Sequence, residues 1–389
     1  MRKEYNQKKE SQILKNLDIY KNQDFSFKNG RIIGSMCTQP LPIAKKAYIR
    51  FLETNLGDPE LFPGTKEIEI RYISFLKKLL NAPKQSSGII GTGGTESNII
   101  AIWLAKNLSS KREIIIPKTA HFSFQKIVSL MDIKLIPVNL TKKYHMDILD
   151  VKNKIDNNTA AIVGIAGSTE LGTIDPIPEL SDICKDENIF LHVDAAFGGF
   201  IIPFLKKIGY NVADFDLKLK GVSSITIDAH KMGCSAIPLG SLIIREKKWL
   251  DKISVETPYI SSKKQAGILA TRSGAPVAAA YAVSEYLGMQ GYKRIVQRCM
   301  DTTNYAQKKI ENMGLNLITN PTMNILAIKL KKPSVVVYNL TRFGWKVNYM
   351  SRFSAIRIVL MPHITKRIID EFIPYLRKAC ESAGESISY

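Results

Sequence analysis

Cysteine is scarce in this chain and scattered. The five residues, Cys37, Cys184, Cys234, Cys299 and Cys380, form no Cys-x-x-Cys pair, and the five histidines have no metal-ligand spacing, so no metal centre is expected. No apolar run approaches the roughly 18 residues of a membrane span. The opening stretch Met1–Gln12 lacks the apolar core of a secretion signal, which makes a cytoplasmic protein without membrane attachment the expectation. Acidic residues are also few: 35 against 55 Lys and Arg, for a net charge of +20. Such an excess suits nucleic acid when it forms a stripe interleaved with aromatics. Here it is spread as Lys77-Lys78, Lys142-Lys143, Lys206-Lys207 and Lys308-Lys309, which reads as solvated faces. No nucleic-acid partner is expected, although a positive field favours an anionic cofactor and substrate.

What is present is an alternation of strand and helix. The 389 residues, 45% hydrophobic, suffice for one large domain and a smaller companion. Continuous Ile/Val runs predict strands at Gly88–Gly91, Ile114–Pro117, Lys134–Val138, Ala160–Ala166, Ile189–Asp194 and Ser223–Asp228, with Ser241–Arg245 near the edge. Helices are expected near 95–108, 122–131, 146–156 and 176–187, so the sheet should be largely parallel and covered on both faces. Residues 275–313 read as helical. Beyond them, strands at Ile325–Leu330, Trp345–Asn348 and Ala355–Leu360, with helices at 333–342 and 365–381, predict a smaller α+β domain. The expected division is an N-terminal arm over 1–50, a large domain over 51–285 and a small domain over 286–389.

Two strand ends carry the chemistry. Ile225-Thr226-Ile227-Asp228 runs into Ala229-His230-Lys231-Met232-Gly233, where an amine projects from a strand end with Asp228 and His230 as its near ionisable neighbours. Upstream, Ile189–Asp194 runs into Ala195-Ala196-Phe197-Gly198-Gly199. A lysine able to form an imine and an aspartate able to keep a pyridine nitrogen protonated are what an enzyme needs to hold pyridoxal phosphate. A buried carboxylate is costly without such a cation. Lys231 must attack as the neutral amine, a state that burial beside cationic groups favours. The other reading makes Asp194 a helix-start residue and Lys231 a structural one.

Three more motifs fall at strand ends, where open α/β sheets bind ligands. Gly91-Thr92-Gly93-Gly94-Thr95-Glu96-Ser97-Asn98 opens a helix whose N–H groups and dipole suit a phosphate, or else is a tight packing turn. It is neither a P-loop nor Gly-x-Gly-x-x-Gly, since Glu96 occupies the sixth position. His121 stacks on a pyridine ring or caps a helix. Ser168 and Thr169, in Ala166–Thr173, bond a ring hydroxyl, hold Asp194 in place, or simply form a turn.

His192-Val193-Asp194-Ala195-Ala196 together with Asp228-Ala229-His230-Lys231 resembles the signature of the group II pyridoxal-phosphate decarboxylases. Gly34-Ser35-Met36-Cys37-Thr38, Gly91–Glu96, Thr271-Arg272-Ser273 and Arg357–His363 resemble the archaeal L-tyrosine/L-aspartate decarboxylases within that group. The resemblance implies the aspartate aminotransferase-type fold (fold type I) with a seven-stranded, mostly parallel sheet, and a homodimer with shared active sites. It implies Lys231 as the Schiff-base lysine, Asp194 on the pyridine nitrogen, and His121 and Ala196 on the two ring faces. Gly94 and Thr95 would bind the phosphate, Thr169 would lie near the ring hydroxyl, and Thr271 and Ser273 would reach the phosphate across the dimer. Arg357 would recognise the substrate carboxylate. His230, Lys231 or Tyr259, in the loop Val255–Gln265, would return a proton to Cα. The histidine that the resemblance implies near Leu41 is absent. The implied reaction is decarboxylation of L-tyrosine to tyramine, for methanofuran, or of L-aspartate to β-alanine, for coenzyme A. Rival readings are transamination, a retro-aldol lyase of the sphingosine-phosphate lyase kind, and a basic nucleic-acid-binding protein on the same scaffold.

Overall fold

A computed structural model describes residues 2–258 and 264–387. Strands β1 (Ser87–Gly91), β2 (Glu113–Pro117), β3 (Lys134–Val138), β4 (Thr159–Ile165), β5 (Phe190–Asp194), β6 (Val222–Asp228) and β7 (Gly240–Ile244) form one sheet in the order β1-β7-β6-β5-β4-β2-β3. Strands β3, β2, β4, β5 and β6 pair in parallel, while β7 runs antiparallel to both β6 and β1. The sequence placed β7 near the edge. It lies one strand in from the edge, between β1 and β6, and Leu242, Ile243 and Ile244 are covered on both faces.

Period-two alternation divides the apolar strand residues between two cores. Ile114, Ile116, Val163 and Leu242 face one way, and Ile115, Ile162, Val193, Ile225 and Ile243 face the other. Helices α1 (Arg2–Lys21), α2 (Pro42–Arg50), α3 (Pro63–Leu79), α4 (Gly94–Ser109), α5 (Ser123–Leu130), α6 (Ile148–Lys154), α7 (Ile177–Asp186), α8 (Ile202–Leu205) and α9 (Ala275–Glu311) precede the second sheet in the chain. Of these, α4 and α5 cover the first face, and α3, α7 and α9 the second. Strands β8 (Val255–Glu256) and β9 (Lys264–Gln265) pair antiparallel as a short ribbon. Helix α9 kinks at Gly288, whose φ of 51° is left-handed; it packs on the large core through Met300 and on the C-terminal core from Ala306.

The C-terminal sheet, β10 (Ile325–Lys329), β11 (Asn348–Met350) and β12 (Ala355–Val359), has β12 in the centre and antiparallel pairing throughout, with α10 (Pro333–Arg342) and α11 (Lys366–Ala383) packed on it. The strand predicted at Trp345–Asn348 begins only at Asn348. Trp345 is fully buried, with the Arg31 guanidinium 4.3 Å from its ring centroid, and its neighbours pair with the N-terminal segment through Lys346 N to Arg31 O and the Ile32–Lys346 bridge. Ile33 thereby joins the C-terminal core.

Candidate active site

The carboxyl ends of β4, β5 and β6 meet the amino end of α4 around a cavity of 280 Å³. Two glycines make that meeting possible. A Cβ on Gly240 would sit 2.4 Å from the Gly93 carbonyl carbon, so the sheet and the loop before α4 touch backbone to backbone. Gly93 itself has a φ of 154°, which favours glycine. The loop is closed by Glu96, whose Oε2 accepts from the Thr92 N–H at 2.7 Å and its hydroxyl at 2.8 Å. Gly94 and Thr95 therefore present the first N–H groups of α4 to the cavity.

Lys231, Asp194, His121, His230, Thr169 and Ala196 line this cavity with Gly94 and Thr95. Lys231 Nζ is 2.9 Å from Asp228 Oδ2. Burial by itself would lower the lysine pKa, but the charges of Asp228 and Asp194 outweigh it and the net shift is upward. The expectation that the surroundings favour a neutral amine is corrected: the near neighbours are carboxylates, and the protein groups alone hold Lys231 protonated. Asp228 is 2% exposed, and its Oδ1 has no hydrogen-bond partner.

Asp194 is 7% exposed. Its Oδ1 accepts from Ala196 N at 3.1 Å and its Oδ2 from Asn98 Nδ2 at 2.9 Å. The sequence offered Ser168 as a possible support for Asp194; instead the Ser168 hydroxyl is 2.8 Å from Thr173 Oγ1 and accepts from Thr173 N, closing its own turn. Asn98 takes that place, and behind it lie His192, Thr226 and Ser224, all buried. None was assigned a role from sequence. A signal existed: His192 shares a strand face with Asp194, and Ser224 and Thr226 share one with Asp228, so polar residues line a face that elsewhere is apolar.

His121 accepts at Nδ1 from Ser123 N at 3.2 Å, and burial lowers its pKa, against the opposing pull of Asp194. The ring is a neutral imidazole at neutral pH. His230 Nδ1 is 2.7 Å from Leu239 O, which leaves Nε2 on the side of Asp228, 3.8 Å from Oδ2.

Three expected residues stand apart. Arg357, 8% exposed, does not line the cavity; it sits behind Thr169, donating to the Thr169 carbonyl at 2.5 Å and the Gly34 carbonyl at 2.9 Å, with Nε unpartnered. Burial lowers its pKa to about 10, so it stays charged at neutral pH. Thr271 and Ser273 are exposed and lie outside the cavity within one chain. Tyr259 lies outside the described residues. No group of three or more His, Cys, Asp or Glu that could hold a metal occurs among the described residues, and no helix there is long and apolar enough to cross a membrane.

An amine, a carboxylate and a helix amino end converging on one small cavity define the class. The model of the pyridoxal-dependent decarboxylase conserved domain matches residues 52–331, and the chain belongs to that family. It is 46% identical over 369 residues to a probable L-tyrosine/L-aspartate decarboxylase of Methanosphaera stadtmanae, covering 93% of this chain and 95% of the relative. It is 46% identical over 361 residues to an L-aspartate/L-glutamate decarboxylase of Pyrococcus horikoshii, covering 92% and 94%. Among solved structures, the sphingosine-1-phosphate lyase of Burkholderia pseudomallei superposes with a TM-score of 0.88 at 23% identity over 96% of this chain and 90% of the other. The glutamate decarboxylase of Lactobacillus brevis gives 0.86 at 22%, over 95% and 92%. These two likenesses concern the fold, which is fold type I.

The site suits the family's cofactor, pyridoxal 5′-phosphate. Lys231 offers the amine and Asp194 an acceptor-only carboxylate, while a Cβ on Gly94 would come within 3.0 Å of Asp228 Oδ2 and 3.1 Å of the Ala196 methyl, crowding the glycine cradle.

Proposed function

We propose that the protein removes the α-carboxylate of an L-amino acid, converting L-aspartate to β-alanine and L-tyrosine to tyramine. The observation that carries this reading is the convergence of Lys231, Asp194 and the Gly93-Gly94 cradle on one cavity in a chain of this family. Aspartate is named in both archaeal relatives, which makes it the first substrate to test.

Bound here, pyridoxal 5′-phosphate supplies the electron sink for the bond broken at Cα. Lys231 Nζ would be the amine that holds it, with Asp228 Oδ2, 2.9 Å away, placed to pair with the ammonium form of that amine. Asp194 would partner the ring nitrogen, His121 and Ala196 would flank the ring, and Thr169 would serve the ring hydroxyl. Gly94 and Thr95, at the amino end of α4, would bind the phosphate. His230 Nε2, Lys231 Nζ or Tyr259 would return the proton to Cα. Arg357 holds the wall around the substrate carboxylate by tying Thr169 to Gly34. The exposure of Thr271 and Ser273 fits a homodimer in which they complete the neighbouring site.

The purified protein, supplied with pyridoxal 5′-phosphate, should release CO2 from L-aspartate or L-tyrosine with one amine formed per CO2. Keto acid in place of amine would mean transamination. Cleavage of a phosphorylated amino alcohol, with neither amino acid consumed, would replace this reading with a retro-aldol lyase.

A further inference from the structure

Asn98 projects from the second turn of α4 and is 1% exposed. Its Nδ2 donates to Asp194 Oδ2 at 2.9 Å and to Ser123 Oγ at 3.2 Å; its Oδ1 accepts from Thr226 Oγ1 at 2.9 Å and faces His192 Nε2 at 3.0 Å. Burial lowers the His192 pKa to about 4, so the ring carries a single N–H at neutral pH. An amide oxygen cannot donate, so that hydrogen is on Nε2 and the Ser224 hydroxyl, 2.8 Å from Nδ1, donates to the ring. The donors then run from Ser224 through His192 and Asn98 to Asp194, with the second Asn98 N–H going to Ser123 Oγ and Thr226 adding a second hydrogen to the amide oxygen. Turning the amide over would set two oxygens against each other at the Asp194 contact. Both acceptor positions of Oδ1 are filled, which leaves the NH2 no alternative direction.

We propose that Asn98 is a positioning residue for Asp194, locked in the donating orientation by His192 and Thr226, so that the carboxylate meets the cofactor ring at a fixed angle. The inference rests on Asp194 as the partner of the ring nitrogen. Ser224 and His192 contribute through Asn98 and touch neither cofactor nor substrate.

The test uses the full-length protein with pyridoxal 5′-phosphate and four variants, Asn98→Leu, Asn98→Asp, Thr226→Val and Asp194→Asn. Cofactor affinity comes from fluorescence quenching, the pH titration of the bound cofactor from its visible absorbance, and fold from thermal melting. Asn98→Leu should weaken cofactor binding about tenfold, the scale of one buried hydrogen bond to a charged acceptor, and shift the titration of the visible band. Asn98→Asp should do more, since it turns a donor into an acceptor facing Asp194. Thr226→Val should act in the same direction to a smaller degree, and it decides the matter if the Asn98 variants do not fold. Wild-type affinity and an unchanged titration in these variants, alongside changed values in Asp194→Asn, would overturn the proposal. If Asp194→Asn changes neither quantity, the ring-nitrogen assignment itself fails, and the proposal with it.

Discussion

Lys231 Nζ lies 2.9 Å from Asp228 Oδ2, and with Asp194 this carboxylate keeps the amine charged against the pull of burial. Asp228→Asn keeps the side-chain shape and removes the charge. Capture of pyridoxal 5′-phosphate requires the neutral amine, so its rate climbs as pH rises through the lysine pKa. In the variant that climb should move to lower pH, because an opposite charge within contact distance holds the amine protonated. Stopped-flow capture rates against pH provide the check, and superimposable profiles would refute the role given to Asp228.

His192 should make the protein acid-sensitive. Its folded pKa is depressed to about 4 by burial, from the ordinary imidazole value of 6.5. The stability it contributes is present above pH 6.5 and is lost as pH falls through the folded value, because the unfolded chain takes up the proton first. Between pH 7 and 5 this amounts to about 2 kcal/mol. Asp175 opposes it: burial raises that carboxyl to about 6, so its stabilising effect is present at low pH and lost as pH rises through 6. His192→Gln isolates the histidine. On acidification over this window the variant should lose less stability than the wild type, or gain it, since Asp175 then acts unopposed; equal slopes would contradict the buried neutral ring.

Gly240→Ala should be costly. The new Cβ would lie 2.4 Å from the Gly93 carbonyl carbon and 2.6 Å from Asp228 Oδ1, so either the loop before α4 or the end of β7 must move. A loss of about 1–3 kcal/mol is expected, together with weaker cofactor binding. Gly64→Ala is the contrast: a Cβ there meets nothing within 4 Å, and in α3 alanine should gain about 0.5–1 kcal/mol. Denaturant melts of the two variants should move in opposite directions.

Arg357→Lys should lower stability and raise the KM for the amino acid together. One ammonium cannot span the Gly34 and Thr169 carbonyls that the guanidinium bridges, and a buried carbonyl left without its donor costs about 1–3 kcal/mol. An unchanged melting temperature would show that the bridge is not what Arg357 contributes.

Strand-end chemistry was legible in the chain because it is local. Lys231 and Asp194 each close a run whose alternation already marks a strand, and Gly93-Gly94 follows a third. A β-strand ends where its pattern ends, so the residues beyond are placed at the sheet rim before any packing is known. Strand order was less legible: the sequence put β7 near the edge, and only the fold seated it between β1 and β6, antiparallel to both. Trp345 read as strand, yet its register was set by Arg31 and Ile32, hundreds of residues away.

By itself the amino-acid sequence determined that the chain would form a parallel sheet with an amine, a carboxylate and a glycine cradle at its carboxyl rim, since periodicity and turn chemistry act over a few residues. Only the tertiary structure decided the charge on that amine and the support of that carboxylate. Asp228 acts on Lys231 through 2.9 Å of space, and Asn98, from a helix, meets Asp194 across 96 positions of chain. Electrostatic and hydrogen-bond energies depend on distance and burial, and folding alone supplies both.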